Sequence, residues 1–354
     1  MKPKQIEQLK PGNKLAKPLF DQKGNLLLHQ QTVLNEHLIE RLKKYEIDQV
    51  YVTSPTIDSP LNLITKSKKE KWGKELKKSF YILDDTNFVE QTYVIEAAAQ
   101  DLKKIVCEIH KLVYSNSDIV SLISDVVEFD DYLYHHSLNV ATYSLAIARE
   151  LNFSQASLED LGLAALLHDI GKMKVPEDIV FKSGRLTEQE FQEIQKHTYL
   201  GYEIVKQIPN IPQSVLRTIY EHHERLDGSG YPQKLAGNQI HPFAKIIAVA
   251  DVFDAITTER VYKDKQLPHE ALEVLYAGSG TLFEPKFIEL FRNNVAVYPN
   301  GMRVTLSDGR KGVIKRQNKD LSDRPVVEIS SNKHESYELN LAKHFNIVVT
   351  AIQS

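Results

Sequence analysis

Residues 222–232 read HHERLDGSGYP, and the interpretation of the whole chain starts from this stretch. Two histidines stand side by side, and a Gly-x-Gly-Tyr-Pro turn follows within a few residues. Neighbouring side chains on a regular helix point about 100° apart. His222 and His223 are therefore better placed to face two ions, or one ion and one phosphate, than to chelate a single ion.

The composition is that of an ordinary globular protein without a polynucleotide partner. The chain has 354 residues, of which 42% are hydrophobic and 26% charged, and its formal net charge is −3. This length allows two or three domains, and the lack of a basic field argues against nucleic acid polymers. The single cysteine, Cys107, excludes a disulfide framework, so nitrogen and oxygen ligands would hold any metal.

The sequence also carries no sign of membrane insertion or export. No apolar run is long enough to span a bilayer, and the N-terminal MKPKQIEQLKPGNKL lacks the apolar centre of a signal peptide. We therefore expect a cytoplasmic protein without membrane spans.

The pattern of elements predicts a mainly α protein in four segments. Residues 1–58 alternate short apolar runs with Pro-Gly and Lys-Gly turns around one helix, which indicates a small α+β module. Residues 59–128 read as a linker and an amphipathic helical connector. Residues 129–297 are predominantly helical and contain most of the histidines, whereas residues 298–354 alternate like the strands of a small β-rich module.

Histidines and aspartates of the helical segment form a candidate metal site. A lone helical histidine is usually an ordinary core or surface residue, but here five histidines and two aspartates share one segment, several within apolar runs. Unpaired burial would cost several kcal/mol, so we expect these side chains to be paired or to bind metal. They are His136, His168, Asp169, His197, His222, His223 and Asp251.

Asp169 is the expected bridge of a dinuclear site. Its carboxylate follows His168 directly, and two oxygens suit two metal ions about 3.5–4 Å apart. In the simplest arrangement one ion is held by His136, His168, Asp169 and Asp251, and the other by Asp169, His197, His222 and His223.

Three blocks in this order, HDIGK, HHERLDGSGYP and ADVFDAITTERVYK, resemble the HD-GYP proteins, a branch of the HD phosphohydrolase superfamily that hydrolyses cyclic di-GMP. The resemblance covers about residues 120–297. It implies an all-α HD domain, the seven ligands above, and two divalent metal ions per chain, iron or manganese. Some members hold a third metal through a glutamate at the position of Tyr132. Asp130 and Asp131 lie near it on another part of the helix, so we expect two metals.

The resemblance also implies substrate contacts. It places phosphate-binding cations at Arg260 and Lys263, whereas the residues alone also allow a solvated helix end. Lys172 follows the metal ligands by one turn and could contact a phosphate or leaving oxygen, so Asp169 and Lys172 are the expected catalytic residues.

The glycine-rich turn has two interpretations. It could be a plain helix stop, because glycine and proline favour tight turns. By resemblance it borders the active site, brings Gly230 and Tyr231 to the substrate, and contacts cyclic di-GMP synthase domains.

The sequence thus predicts a metal-dependent phosphodiesterase that hydrolyses cyclic di-GMP to pGpG, GMP or both through a metal-bridging hydroxide. A phosphodiesterase for cyclic GMP-AMP or another nucleotide is one alternative, and a non-catalytic cyclic-dinucleotide sensor is another, disfavoured by the intact ligand set. The connector helix is a candidate homodimer contact. The metal, the end product, the signal sensed by the flanking modules and the oligomeric state do not follow from the sequence.

Overall fold

The computed structural model divides the chain into two compact units, Met1–Pro60 and Leu61–Ser354. The structure describes residues 2–6, 9, 15, 17–20, 26–29, 32, 34, 36–43, 47, 49–52, 66–85, 91–115, 132–258, 266–330 and 336–353.

The first unit is a small α+β module. Its elements are β1 (Lys2–Gln5), β2 (Leu19–Phe20), β3 (Leu26–Leu28), α1 (Glu36–Lys43) and β4 (Gln49–Val52). Strand β1 pairs antiparallel with β4, and β2 pairs antiparallel with β3. Leu15, Leu34, Leu42 and Val50 lie in its own apolar core.

Helices dominate the second unit. They are α2 (Lys66–Asp84), α3 (Thr92–Ser115), α4 (Tyr132–Ala148), α5 (Gln155–Leu167), α6 (Glu177–Val180), α7 (Glu188–Gln195), α8 (His197–Val205), α9 (Gln213–Glu221), α10 (Pro242–Thr257), α11 (Pro268–Ala277) and α12 (Pro285–Asn294). Two short 3-10 helices, Ile170–Lys174 and Gly237–Gln239, interrupt this series.

Local signals in the sequence explain where the helices near the site begin. Helix α5 starts at Ser154, whose side chain accepts a hydrogen bond from the backbone N–H of Ser157. Helix α7 starts with a capping box, in which Thr187 and Glu190 each accept a hydrogen bond from the other's backbone N–H. Such caps satisfy the N–H groups that the first turn of a helix leaves without partners.

The connector helix α3 packs directly on α5. A Cβ atom at Gly162 of α5 would lie 2.5 Å from Cγ1 of Val106 on α3, so only glycine permits this approach. The apolar core that contains this contact is continuous from Trp72 of α2 to Val349 in the C-terminal strands.

A five-stranded antiparallel sheet follows the helices. Its strands are β5 (Arg303–Leu306), β6 (Lys311–Arg316), β7 (Val326–Ser330), β8 (Ser336–Asn340) and β9 (Val349–Gln353), in the order β8-β7-β6-β5-β9. A tight turn joins β5 to β6, where Gly309 has a φ of 83°. A 3-10 helix, Leu341–Lys343, follows β8.

The predicted fold class is confirmed: the protein is mainly α, with small strand-containing modules at both ends. The predicted boundaries at residues 58, 128 and 297 remain predictions. The start of the predicted linker, residues 59–65, lies outside the described part of the chain.

Candidate metal centre

Five helices bring the seven predicted ligands together. The side chains lie on α4 (His136), at the end of α5 (His168, Asp169), at the start of α8 (His197), after α9 (His222, His223) and on α10 (Asp251). The 3-10 helix after Asp169 lies tightly against α8, because a Cβ at Gly171 would be 2.0 Å from the backbone oxygen of His197. The glycine of the HDIGK block therefore fixes the distance between Asp169 and His197.

The seven side chains form two groups, and within each group the ligand atoms lie within 4.8 Å of one another. The carboxylate-rich group consists of His136, His168 and Asp251. The imidazole-rich group consists of Asp169, His197, His222 and His223. The division follows the sequence-based assignment of two ions.

Asp169 faces both groups, one oxygen to each. Its Oδ2 lies 3.5 Å from Nε2 of His136 and 3.4 Å from Nε2 of His168. Its Oδ1 lies 3.3 Å from Nε2 of His197 and 3.9 Å from Nε2 of His222. This is the placement that a carboxylate bridging two cations needs.

His222 and His223 lie in the same group, as in the sequence-based assignment of both to one ion. Helix α9 ends at Glu221, so His223 belongs to the turn that follows and is free of the helical 100° rotation. The centroids of the two rings are 4.2 Å apart. Because α9 ends before this pair, both imidazoles can lie close together.

Backbone carbonyls orient three of the imidazoles. Nδ1 of His168 lies 2.8 Å from the oxygen of Ala165, and Nδ1 of His222 lies 2.7 Å from the oxygen of Ile219. His197 repeats the contact three residues back along the chain. In a neutral ring, Nδ1–H then donates to the carbonyl, which leaves the Nε2 lone pair directed at the cluster.

The donor set fits a divalent transition metal. Nε2 of His168 and Oδ1 of Asp169 are buried and have no hydrogen-bond partner within the described structure. Buried polar atoms are rarely left unsatisfied, and imidazole with carboxylate is a ligand combination of iron, manganese and zinc sites.

Burial keeps the imidazole-rich group neutral. Desolvation lowers the pKa of His197 to about 4, although the nearby Asp169 carboxylate opposes the shift. Burial and the neighbouring imidazoles hold the pKa values of His222 and His223 well below their usual range. Neutral imidazole is the form that binds a metal.

In the carboxylate-rich group, the pKa of His136 is raised instead of lowered. Burial alone would lower the pKa of His136, but hydrogen bonds to Asp251 and Asp254 outweigh it and raise the pKa to about 9. Burial likewise opposes ionisation of Asp169, yet the charges of Lys172 and His168 hold its pKa well below the ordinary range.

Comparison with known proteins identifies the helical segment. Residues 120–287 match the family model of the HD domain. The chain carries an HD domain. Among curated proteins, it is 40% identical over 188 residues to a cyclic di-GMP phosphodiesterase of Pseudomonas aeruginosa, covering 53% of this chain and 45% of that protein. The predicted resemblance is thereby confirmed.

Two further relatives carry different names. The cyclic di-GMP phosphodiesterase response regulator RpfG of Xanthomonas campestris is 41% identical over 145 residues, covering 40% of this chain and 38% of RpfG. The 3'3'-cGAMP-specific phosphodiesterase 2 of Vibrio cholerae is 38% identical over 156 residues, covering 44% of this chain and 30% of that enzyme. The chain thus spans less than half the length of these relatives. Among its described helices, none has the length and apolar character needed to cross a membrane.

Asp254 is a buried residue of the HD domain that the sequence interpretation missed. One carboxylate oxygen lies 2.7 Å from Nδ1 of His136, and the other accepts a hydrogen bond of 2.7 Å from the side-chain amide of Asn139. Asp254 thus takes the place of the backbone carbonyls that orient His168, His197 and His222. Its spacing of three residues from Asp251 on α10, which puts both on one helix face, was the available signal.

Lys172 lies inside the HD-domain site. Its Nζ is 2.5 Å from Oδ2 of Asp169, and its side chain is partly exposed. A cation therefore lies beside the Asp169 carboxylate and reaches solvent, a position from which it can contact a bound phosphate.

The glycine-rich turn packs against the second histidine. The Tyr231 ring stacks on His223 with centroids 4.7 Å apart and an interplanar angle of 27°. Gly228 has a φ of 79°, as expected for a glycine turn, but Gly230 is needed for a different reason. A Cβ at Gly230 would lie 2.5 Å from the backbone of residues 223–225.

Glu224 holds this turn in place. Its two carboxylate oxygens accept hydrogen bonds from the backbone N–H groups of Gln233, at 2.7 Å, and Leu235, at 3.0 Å. The glutamate of the HHE block is therefore an anchor for the loop that carries Tyr231, and it lies outside both candidate metal groups.

Several predicted positions fall elsewhere. The Tyr132 ring stacks on His136 with centroids 5.7 Å apart and an interplanar angle of 9°. Arg260 and Lys263, the expected phosphate clamp, lie outside the described residues, as do Asp130 and Asp131. Their roles remain predictions.

Proposed function

We propose that this chain is a metal-dependent phosphodiesterase that hydrolyses cyclic di-GMP to pGpG, GMP or both. The observation that carries the proposal is the placement of Asp169, with one oxygen toward each group of buried imidazoles. Two divalent ions held there, iron or manganese, would act as Lewis acids and supply a hydroxide nucleophile near neutral pH.

The chain's own residues would bind and orient the phosphate. Lys172, beside the bridging carboxylate, would neutralise charge that develops on the phosphate or its leaving oxygen. Arg260 and Lys263 are proposed to clamp the same phosphate, Arg260 through a bidentate contact. Tyr231, anchored over His223, would close one side of the substrate site and exclude water.

The relatives support a cyclic dinucleotide as the substrate class. Two of the three reported above are named for cyclic di-GMP, which favours that substrate. The third is named for 3'3'-cGAMP at 38% identity, so cyclic GMP-AMP is the second candidate. The two molecules differ at one base only.

Proposals about assembly and location rest on the sequence. We propose a cytoplasmic enzyme that forms homodimers through the connector helix and contacts cyclic di-GMP synthase domains through the turn that carries Tyr231. Sedimentation of the intact chain and of a variant changed on the exposed face of α3 would test the dimer.

Turnover by metal-loaded protein tests the activity. The chain would be purified without oxygen, loaded with Fe²⁺ or Mn²⁺, and incubated with cyclic di-GMP or cyclic GMP-AMP, and the products separated by chromatography. His197→Gln should abolish turnover. His241→Gln is the matched control, because His241 caps α10 by accepting a hydrogen bond of 3.2 Å from the Phe243 N–H. Loaded wild-type protein that binds either dinucleotide without cleaving it would indicate a sensor instead.

A further inference from the structure

Phe191 is an exposed aromatic residue on a helix close to the candidate metal centre. Helix α7 has the sequence EQEFQEIQ, and none of its residues is buried. The Phe191 side chain is 46% exposed. Its ring therefore has an apolar face that a ligand can cover, and covering it removes apolar surface from water.

The ring stands at the edge of the candidate metal centre. Its centroid is 6.1 Å from that of Tyr231, and the two planes are nearly perpendicular at 83°. Tyr231 in turn stacks on His223. The two aromatic rings form a corner that opens beside the imidazole-rich group.

The helix that carries Phe191 is held before any ligand arrives. The capping box fixes its first turn, and Nζ of Lys182 lies 2.6 Å from both carboxylate oxygens of Glu190, the residue before Phe191. A preorganised platform loses less conformational entropy when it binds a ligand.

We propose that Phe191 is a substrate-binding residue on which a purine base of the cyclic dinucleotide stacks. The inference rests on the proposed function and adds to it a contact with the base. In a nucleotide one sugar separates the base from the phosphate, so a phosphate at His223 leaves its base close to the Tyr231–Phe191 corner. Stacking on an aromatic ring uses the face of the base and does not read its hydrogen-bonding edge.

Two consequences separate this role from a structural one. Phe191 should contribute equally to cyclic di-GMP and cyclic GMP-AMP, because guanine and adenine have the same ring area. It should contribute less to cyclic di-UMP, because a pyrimidine covers less of the phenyl ring. A residue that only supported the fold would change all three substrates alike.

The test is steady-state kinetics with these three substrates on metal-loaded wild type, Phe191→Ala, Phe191→Trp and Tyr199→Ala. Phe191→Ala should raise KM for both purine substrates by about 5- to 100-fold, the range for loss of one base stack, and leave kcat nearly unchanged. Phe191→Trp should restore KM. Tyr199→Ala is the matched control, since Tyr199 is 52% exposed but lies two residues after His197, about 200° around α8.

Metal content and melting temperature are measured for every variant. Unchanged KM in Phe191→Ala, or an equal rise for cyclic di-UMP, overturns the stacking role while leaving the phosphodiesterase intact. Loss of metal or of thermal stability in Phe191→Ala together with the change in KM would also overturn it. Loaded wild-type protein that neither cleaves nor binds any of the three dinucleotides overturns the proposed function as well.

Discussion

The two groups of the candidate metal centre set up their histidines in opposite ways. In the carboxylate-rich group, His136 lies between two aspartates, 3.1 Å from Asp251 and 2.7 Å from Asp254, and its pKa is raised to about 9. In the imidazole-rich group, three imidazoles share the single carboxylate of Asp169, and the pKa of His197 is lowered to about 4. The raised pKa favours the protonated form of His136 in the first group. The lowered pKa favours the neutral form of His197 in the second group, which is the form that binds a cation.

This difference shows that the two groups of candidate ligands are not equivalent. A cation entering the carboxylate-rich group must displace a proton from His136 but gains more negative charge. A cation entering the imidazole-rich group displaces none. We therefore expect the two groups to differ in affinity and in pH dependence, with Asp169 as their common member.

Removal of Asp169 should have the largest effect, because it abolishes the link between the groups. Asp169→Ala should lose both ions, from about two per chain to almost none, as expected for a shared carboxylate of a two-metal hydrolase. Its kcat/KM should fall by more than about 100-fold, the upper range for losing a partner behind a ligand. Elemental analysis and turnover measure both quantities.

Single-group variants provide the control for Asp169→Ala. Asp251→Ala should empty only the carboxylate-rich group, and His223→Ala only the imidazole-rich group, so each should retain about one ion of the two-metal complement. Full metal content and activity in Asp169→Ala would show that its carboxylate does not bridge.

Asp254→Asn should weaken metal binding at the carboxylate-rich group and leave metal binding at the imidazole-rich group unchanged. The amide cannot accept and orient the Nδ1 proton of His136 as strongly, so metal affinity at the carboxylate-rich group should fall by about 10- to 100-fold. Competition titrations with a metal chelator resolve the two sites. Asp160→Asn is the matched control, since Asp160 accepts a hydrogen bond of 2.7 Å from Ser214 away from the cluster. Equal weakening of both sites would remove the distinction between the groups.

The stability of chelator-treated protein should depend on pH with two limbs, one from each group. The pKa of His136 is raised to about 9, so the folded chain binds more protons than the unfolded chain between about pH 6.5 and 9, and stability falls as pH rises through this window. The pKa of His197 is lowered to about 4, so the unfolded chain binds more protons between about pH 4 and 6.5, and stability falls as pH decreases there.

Melting temperature against pH measures both limbs. His136→Gln should flatten the alkaline limb and leave the acidic one, whereas His197→Gln should soften the acidic limb and leave the alkaline one. The depressed pKa values of Asp169 and Asp251 add to the acidic limb, so it should not vanish completely. A profile in which either variant changes both limbs equally would contradict the assignment of opposite pKa shifts.

Tyr132→Phe should have the smallest effect. The phenyl ring keeps the stack on His136, so metal content should remain at about two and activity within about twofold of wild type. Tyr132→Ala should cost about 0.5–1.5 kcal/mol of stability through loss of the ring contact. A wild-type metal content near three that drops in Tyr132→Phe would make the hydroxyl a ligand and add a member to the carboxylate-rich group.

The sequence predicted the members of the cluster better than the contacts that organise them. Histidine and aspartate within apolar runs are costly to bury, so their identity alone points to a shared site. The partner of His136 could not be found in this way, because Asp254 is separated from it by 118 residues and only the packing of α4 on α10 brings them together.

The positions of helix ends were the second feature that the sequence did not predict well. The regular-helix argument does not apply to His222 and His223, because α9 ends at Glu221. Phe191 gave no signal, because one aromatic residue in a polar helix normally faces a core, and its exposure depends on how α7 packs. The fold class could be predicted from local signals alone. Hydrophobic periodicity and capping residues such as Thr187 and Glu190 were sufficient for it.

The close approach of α3 and α5 bears on how this chain can change through recombination. Gly162 leaves no room for a methyl group beside Val106, so a larger residue at position 162 would require a matching change in the connector helix. An HD domain moved into another protein without α3 would expose the groove that Gly162 creates. The smallest part of the chain that keeps this packing is therefore longer than the segment that carries the metal cluster, and it includes the helix that the sequence presents as a connector.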